Sequence, residues 1–170
     1  SINRGLWGTS VGGKETLTSD QPLPDSAYPS QLQVHEPKKL KLTFKKGELD
    51  ALDGAADSPV NNIVKLNTIA SKYAIGRDIH VGDTIIGIKG RVGFEAPASL
   101  IIIKAHHLLE KHTLSKWQQY QKEQLGNFYG MLLHEGNYLD EVMRNIEAFL
   151  TDTQKNVSGD VFVSLHPYRF

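Results

Sequence analysis

Three groups of residues carry types and spacings from which chemistry could be built. The first is Gly8-Thr9-Ser10-Val11-Gly12-Gly13-Lys14-Glu15, whose glycines and lysine have the spacing of a phosphate-binding loop. Glu15 stands where such a loop needs a hydroxyl for magnesium, no apolar strand leads in, and Thr16 to Pro24 is a poor helix. That match reads as coincidence. The second group is His106 and Glu110, four apart on one helix face. With a distant third ligand they would make a metal site, the basis of a metal-dependent hydrolase. Without one they are a partly buried polar pair, which is the preferred reading. No serine, histidine and carboxylate cluster follows from spacing. The third group sets small hydroxyls and cations on glycine-rich segments: Ser1, Thr9 and Ser10 before Gly13, Arg77 after Gly76, and Lys89 and Arg91 between Gly87 and Glu95. Backbone amides and hydroxyls there could receive a carboxylate or phosphate. The same residues also fit plain loops with solvated charge. Gly87, Gly90 and Gly93 do not have the spacing of a dinucleotide fingerprint.

The bulk of the chain limits what these groups can serve. Its 170 residues make one domain, or one with an appendage. Hydrophobic residues at 39% and charged residues at 22% place it in the globular range. Nineteen basic residues balance nineteen acidic ones, so no field of one sign invites nucleic acid or an anionic membrane. With no cysteine there are no disulfides or thiolate sites, which fits a reducing, cytoplasmic setting. No run approaches the apolar length of a membrane span, and the first residues lack the charged and apolar regions of a signal peptide.

The elements that must position those residues follow from periodicity. Residues 1–37, with Pro22, Pro24, Pro29 and Pro37, read as an irregular, extended segment that lies on another surface, with much of 10–35 loosely held. Residues 38–170 read as the ordered domain. Leu40, Leu42 and Phe44 alternate as a half-buried strand, turned at Lys46-Gly47, with Leu49 and Leu52 returning. Ser58-Pro59 starts a helix closed by Gly76. A second hairpin is expected to turn at Gly82-Asp83, with Ile79 and Val81 on one side and Ile85, Ile86 and Ile88 on the other. A loop then follows through Gly87, Gly90 and Gly93, where the backbone must bend or approach something closely. Helices are expected from Ala98 to about Lys111, from Lys116 to His134 behind Ser115, and from about Tyr138 to Lys155. A last strand carries Val161, Val163 and Leu165. Strands, then helices, then one closing strand make an α+β fold: hairpin strands forming a sheet packed by several long helices.

The runs SINRGLWGTSVGG, IGR, GIKGRVGFEAPASLIIIKAHHLLE and FLTDTQKNVSGDVFVSLHP, in that order, resemble the second half of argininosuccinate synthases, from Ser1 to about Leu165. The resemblance implies an enzyme of arginine biosynthesis that joins citrulline to aspartate through a citrullyl-adenylate, using ATP with magnesium and releasing AMP and pyrophosphate. It also implies that an ATP-binding domain precedes Ser1, and that this half supplies citrulline contacts and the surfaces of a homotetramer. Alone, it is then expected to be inactive. Two serines that contact citrulline in the family fall on Ser1 and Ser10. A glutamate at the amino end of citrulline falls on Gly82, and a tyrosine twelve residues later falls on Phe94. Thr9, Arg77 and Arg91 are possible supporting residues. Both departures remove a polar group from the same end of the same ligand. An N-acylated citrulline would need neither group, whereas a neighbouring acid such as Asp83 could also replace the glutamate. The reading from another class is a non-catalytic, amino-acid-binding oligomerisation module.

Overall fold

The computed structural model describes residues 2–18 and 20–170. Among the described residues the strands form two four-stranded antiparallel sheets, accompanied by four α-helices, an α+β fold with an irregular N-terminal segment. The core sheet contains β3 (Lys38–Lys45), β4 (Glu48–Leu52), β5 (Ala55–Ala56) and β8 (Gly159–Leu165), in the order β5-β4-β3-β8. The alternation in β3 puts Leu40, Leu42 and Phe44 on one face, where each is at most 1% exposed. Val161, Val163 and Leu165 extend that face from β8.

Two helices cover it. α1 (Pro59–Ser71) starts where Ser58 Oγ accepts from the Asn61 N–H at 3.2 Å, the bond expected of a serine cap. It contributes Leu66 and Ala70 to the core. α2 (Pro97–Thr113) contributes Ala98, Ile101, Ala105 and Leu109. α3 (Lys116–His134) opens with a full capping box between Ser115 and Gln118, and has no buried residue among those described. α4 (Glu141–Thr153) packs against it and is shorter than expected, because Asp140 rather than Tyr138 caps it, accepting from Val142 N–H at 2.9 Å.

The second sheet differs most from expectation. It comprises β1 (Ile2–Arg4), β2 (Thr9–Val11), β6 (Arg77–Asp83) and β7 (Lys89–Glu95), in the order β1-β2-β7-β6. The irregular segment thus carries two short strands. The hairpin does not turn at Gly82-Asp83: those residues pair with Gly90 and Lys89. The turn is Thr84–Ile88, closed by Thr84 N–H to the Ile88 carbonyl at 2.8 Å, with Gly87 at φ 79°. Ile85, Ile86 and Ile88 are therefore exposed at its tip, and the stretch expected to be a glycine loop is strand β7. Gly93 permits close approach rather than bending: a Cβ there would run into Leu23 Cδ1, which would have to shift.

Candidate functional site

Directly opposed residues of an antiparallel pair project to the same face, and successive residues alternate. Asn3 pairs with Ser10, Ser10 with Phe94, and Phe94 with Asp78. One row therefore crosses all four strands of the N-terminal sheet with an amide, a hydroxyl, an aromatic ring and a carboxylate on one face. His80 beside Val92, and Gly82 beside Gly90, continue that face along β6 and β7.

The other face belongs to the N-terminal segment, which crosses it as a strap. The Arg91 guanidinium donates to the carbonyls of Thr18 and Gln21. Leu23 packs against Gly93. Arg77 donates to the Ser30 carbonyl and meets the Asp25 carboxylate at 3.3 Å. Its guanidinium lies 4.6 Å from the Tyr28 ring centroid and 5.7 Å from that of Tyr168. Glu95, 4% exposed, holds both partners: its Oε2 accepts from Ser30 N–H at 3.3 Å and lies 3.6 Å from Arg77 Nε. Burial raises the Tyr28 phenol above its ordinary value, with Arg77 opposing.

The residues singled out from sequence thus separate into two sets. Ser10 and Phe94 are direct neighbours. Gly82 shares their face but lies four residues beyond Asp78, about 13 Å along the strand. Thr9, Arg77 and Arg91 belong to the opposite face, where the two arginines anchor the strap. Ser1 lies outside the described residues. The near-match to a phosphate loop forms β2 and one 3-10 turn (Lys14–Thr16), with Thr16 Oγ1 donating to the Gly13 carbonyl at 2.7 Å. No α-helix opens there, so this segment does not build a triphosphate cradle.

Two neighbours of Gly82 bear on the carboxylate that the family resemblance would put at this position. Asp83 is on the opposite face by register and pairs with Lys89 Nζ at 2.6 Å. His80 is on the same face, and a Cβ at Gly82 would lie 2.6 Å from its Nε2. The imidazole occupies the space next to the glycine. Sequence reasoning missed Asn3, Asp78 and His80, because only the pairing register assigns them to this face.

His106 and Glu110 are held by protein groups. Glu110, 4% exposed, receives Lys122 Nζ at 3.1 Å and Gln154 Nε2 at 2.9 Å, and lies 3.3 Å from His106 Nδ1. His106 Nε2 is 2.7 Å from Gln154 Oε1. The cluster ties α2, α3 and α4 together. Burial pushes the His106 imidazole below its usual value, with Glu110 opposing. Among the described residues, no group of three potential metal ligands is found, and no helix is long and apolar enough to cross a membrane.

A family model described as the arginosuccinate synthase C-terminal domain matches residues 1–169. The chain belongs to the argininosuccinate synthase family. It is 37% identical over 171 residues to the argininosuccinate synthase of Dictyoglomus turgidum, covering 100% of this chain and 43% of that protein. Identity is 37% over 169 residues with the argininosuccinate synthase of Xanthomonas campestris, covering 95% and 41%. It is 33% over 168 residues with that of Methanocaldococcus jannaschii, covering 97% and 42%. The chain spans about two-fifths of the length of these relatives. In argininosuccinate synthase terms, it corresponds to the C-terminal domain, and the N-terminal sheet and strap lie within the matched region.

Proposed function

We propose that this chain is the citrulline-side half of an ATP-dependent carbon–nitrogen ligase that joins citrulline to aspartate. The observation that carries the reading is the shared face of Ser10 and Phe94, two positions that the family resemblance assigns to citrulline, brought together by the β2–β7 register. A serine hydroxyl can donate to a ligand carboxylate or accept from an amine, and the Phe94 ring offers an apolar wall. What this half contributes is positioning, which brings reacting groups together at a cost paid in binding. ATP with magnesium would be held by a preceding nucleotide-binding domain. No segment among the described residues forms its phosphate cradle.

The same reading makes the enzyme a cytoplasmic homotetramer. Support comes from α3, which exposes Trp117, Tyr120, Phe128 and Met131, more apolar surface than one helix normally leaves to water.

The test compares the 170-residue chain with a longer protein carrying it behind its nucleotide-binding half. ATP–pyrophosphate exchange and argininosuccinate formation are expected from the longer protein and absent from the isolated chain. Activity in the isolated chain would refute this division of labour. A second reading has N-acylated citrulline as substrate, and the missing polar groups at Gly82 and Phe94 favour it. Against the extra room it requires at Gly82, the His80 imidazole already occupies that space.

A further inference from the structure

A side chain outside the N-terminal sheet touches both chain segments that carry the proposed ligand face. Asn67, on α1, donates from Nδ2 to the Leu6 carbonyl at 3.2 Å and accepts at Oδ1 from the Ala98 N–H at 3.0 Å. Leu6 is four residues before Ser10, and Ala98 is four residues after Phe94. The Ala98 amide needs such a partner, because Ala96 offers α2 no side-chain cap and Pro97 has no N–H. A capping side chain normally comes from the residue that starts the helix. Here it comes from a neighbouring helix. Beside it, Ser99 Oγ donates to the Trp7 carbonyl, and Ser99 is 3% exposed. The loop held in this way, residues 5–8, closes on itself through Gly5 N–H to the Gly8 carbonyl at 2.9 Å. A Cβ at Gly8 would lie 3.0 Å from Ala96 Cβ, so the loop rests on the start of α2.

Resting on the function proposed above, we infer that Asn67 is a positioning residue for the ligase reaction, clamping the β1–β2 hairpin, and with it Ser10, to the start of α2. Strands β1 and β2 have three residues each, so their ladders alone hold the hairpin weakly. Apolar packing does not fix the loop either, since Leu6 is 43% and Trp7 49% exposed. The polar tethers therefore set its height above α2. Only an amide serves both ends of this clamp, a carbonyl that needs a donor and an N–H that needs an acceptor. An aspartate in its place would keep the acceptor, and its charge suits a helix N-terminus. It would also set a carboxylate against the Leu6 carbonyl. Helix cap and loop tether are thus separable at a single atom. Asn67 acts through Ser10, and its contribution is geometry rather than ligand contact.

The test uses the longer enzyme that carries this sequence, with citrulline or N-acetylcitrulline, whichever the wild type ligates. Asn67→Asp keeps the cap on α2 and loses the tether to Leu6. It is expected to raise KM for that substrate about 3- to 10-fold, the effect of one hydrogen bond. KM for ATP and the thermal midpoint should stay at their wild-type values. Asn67→Ala loses both bonds and should lower the midpoint as well. In a Ser10→Ala background, Asn67→Asp should add nothing to KM, because the group it positions is gone. The inference is overturned if Asn67→Asp leaves KM for the ligated substrate unchanged, or raises KM for ATP equally. It is equally overturned if Asn67→Asp lowers the midpoint as far as Asn67→Ala, or if its full effect persists without the Ser10 hydroxyl. A wild type that ligates neither substrate would instead sink the ligase reading, and this inference with it.

Discussion

The core sheet buries one face beneath α1 and α2, with Leu40, Leu42, Phe44 and Leu165 at most 1% exposed. Among the described residues, the N-terminal sheet has no α-helix on its strap face: there Arg77, Arg91 and Glu95 hold an irregular segment by hydrogen bonds and ion pairs, with Leu23 as the apolar plug. One sheet is stabilised by apolar area, the other by polar anchoring of a chain segment. The difference suits the ligand-binding role proposed for the second sheet. Burying both faces of the N-terminal sheet in apolar contacts would leave no surface for a polar ligand, whereas a thin polar strap supports one face and leaves the row from Asn3 to Asp78 available.

Two phenylalanines test this contrast directly. Phe44→Ala opens a cavity in a packed core and should cost about 3–5 kcal/mol of folding stability. Phe94→Ala removes a partly buried ring from the proposed ligand face and should cost far less while, on the proposed function, weakening citrulline binding. Denaturant titration of both variants checks the order. Equal losses would mean that the ligand face is as much core as the other sheet.

That contrast also explains how much could be read from sequence. Alternation in Leu40, Leu42 and Phe44, and again in Val161, Val163 and Leu165, marks strands because one face is buried and the other wet. The caps at Ser58 and Ser115 were legible for a local reason, a side chain bonding its own helix start. In the N-terminal sheet these signals fail. β1 and β2 have three residues each, too few for a period, and β7 carries Gly90 and Gly93, whose lack of side chains erases the alternation. The isoleucines that suggested a returning strand are at the exposed tip, because the turn begins at Thr84 rather than Gly82. For the site, Ser10, Gly82 and Phe94 came from family resemblance, and no pattern of types could have said that they share a face. Arg77 and Arg91 looked like ligand groups because a sequence shows a charge and not its partner. Their partners include carbonyls of the strap, far away in sequence.

A smaller effect probes the strap itself. Gly93→Ala places a methyl group against Leu23, and overpacking of this kind costs about 1–3 kcal/mol. The loss should be confined to the strap. Amide hydrogen exchange is expected to rise between Gln21 and Ser30, whose anchors are single polar contacts, and to stay unchanged in β3 and β8. Faster exchange in both sheets would show that they unfold as one unit and that the contrast does not extend to stability.

The gentlest perturbation is a proton, and it acts on the core sheet's side of the molecule, where the His106 ring lies 5.7 Å from that of Phe44. Burial depresses the His106 imidazole, with Glu110 and Gln154 pulling the other way and Lys122 and His107 adding to the depression. A neutral ring has one N–H for two acceptors, Glu110 Oε1 and Gln154 Oε1. Protonation would supply the second donor, yet it places another cation beside Lys122 in a desolvated site. With the folded-state value below the unfolded one, the unfolded chain binds more protons as pH falls through the ordinary histidine range. Stability contributed by neutral His106 is therefore complete above the usual value of 6.5. It is lost as pH falls from there toward the depressed value, below which the slope vanishes. Denaturation midpoints between neutral and mildly acidic pH should fall in the wild type and flatten in His106→Gln. A Phe94→Ala variant, altered only on the ligand face, should keep the wild-type slope. If His106→Gln kept the full slope, the titrating group would lie elsewhere, and the packing around Phe44 would be indifferent to the charge beside it.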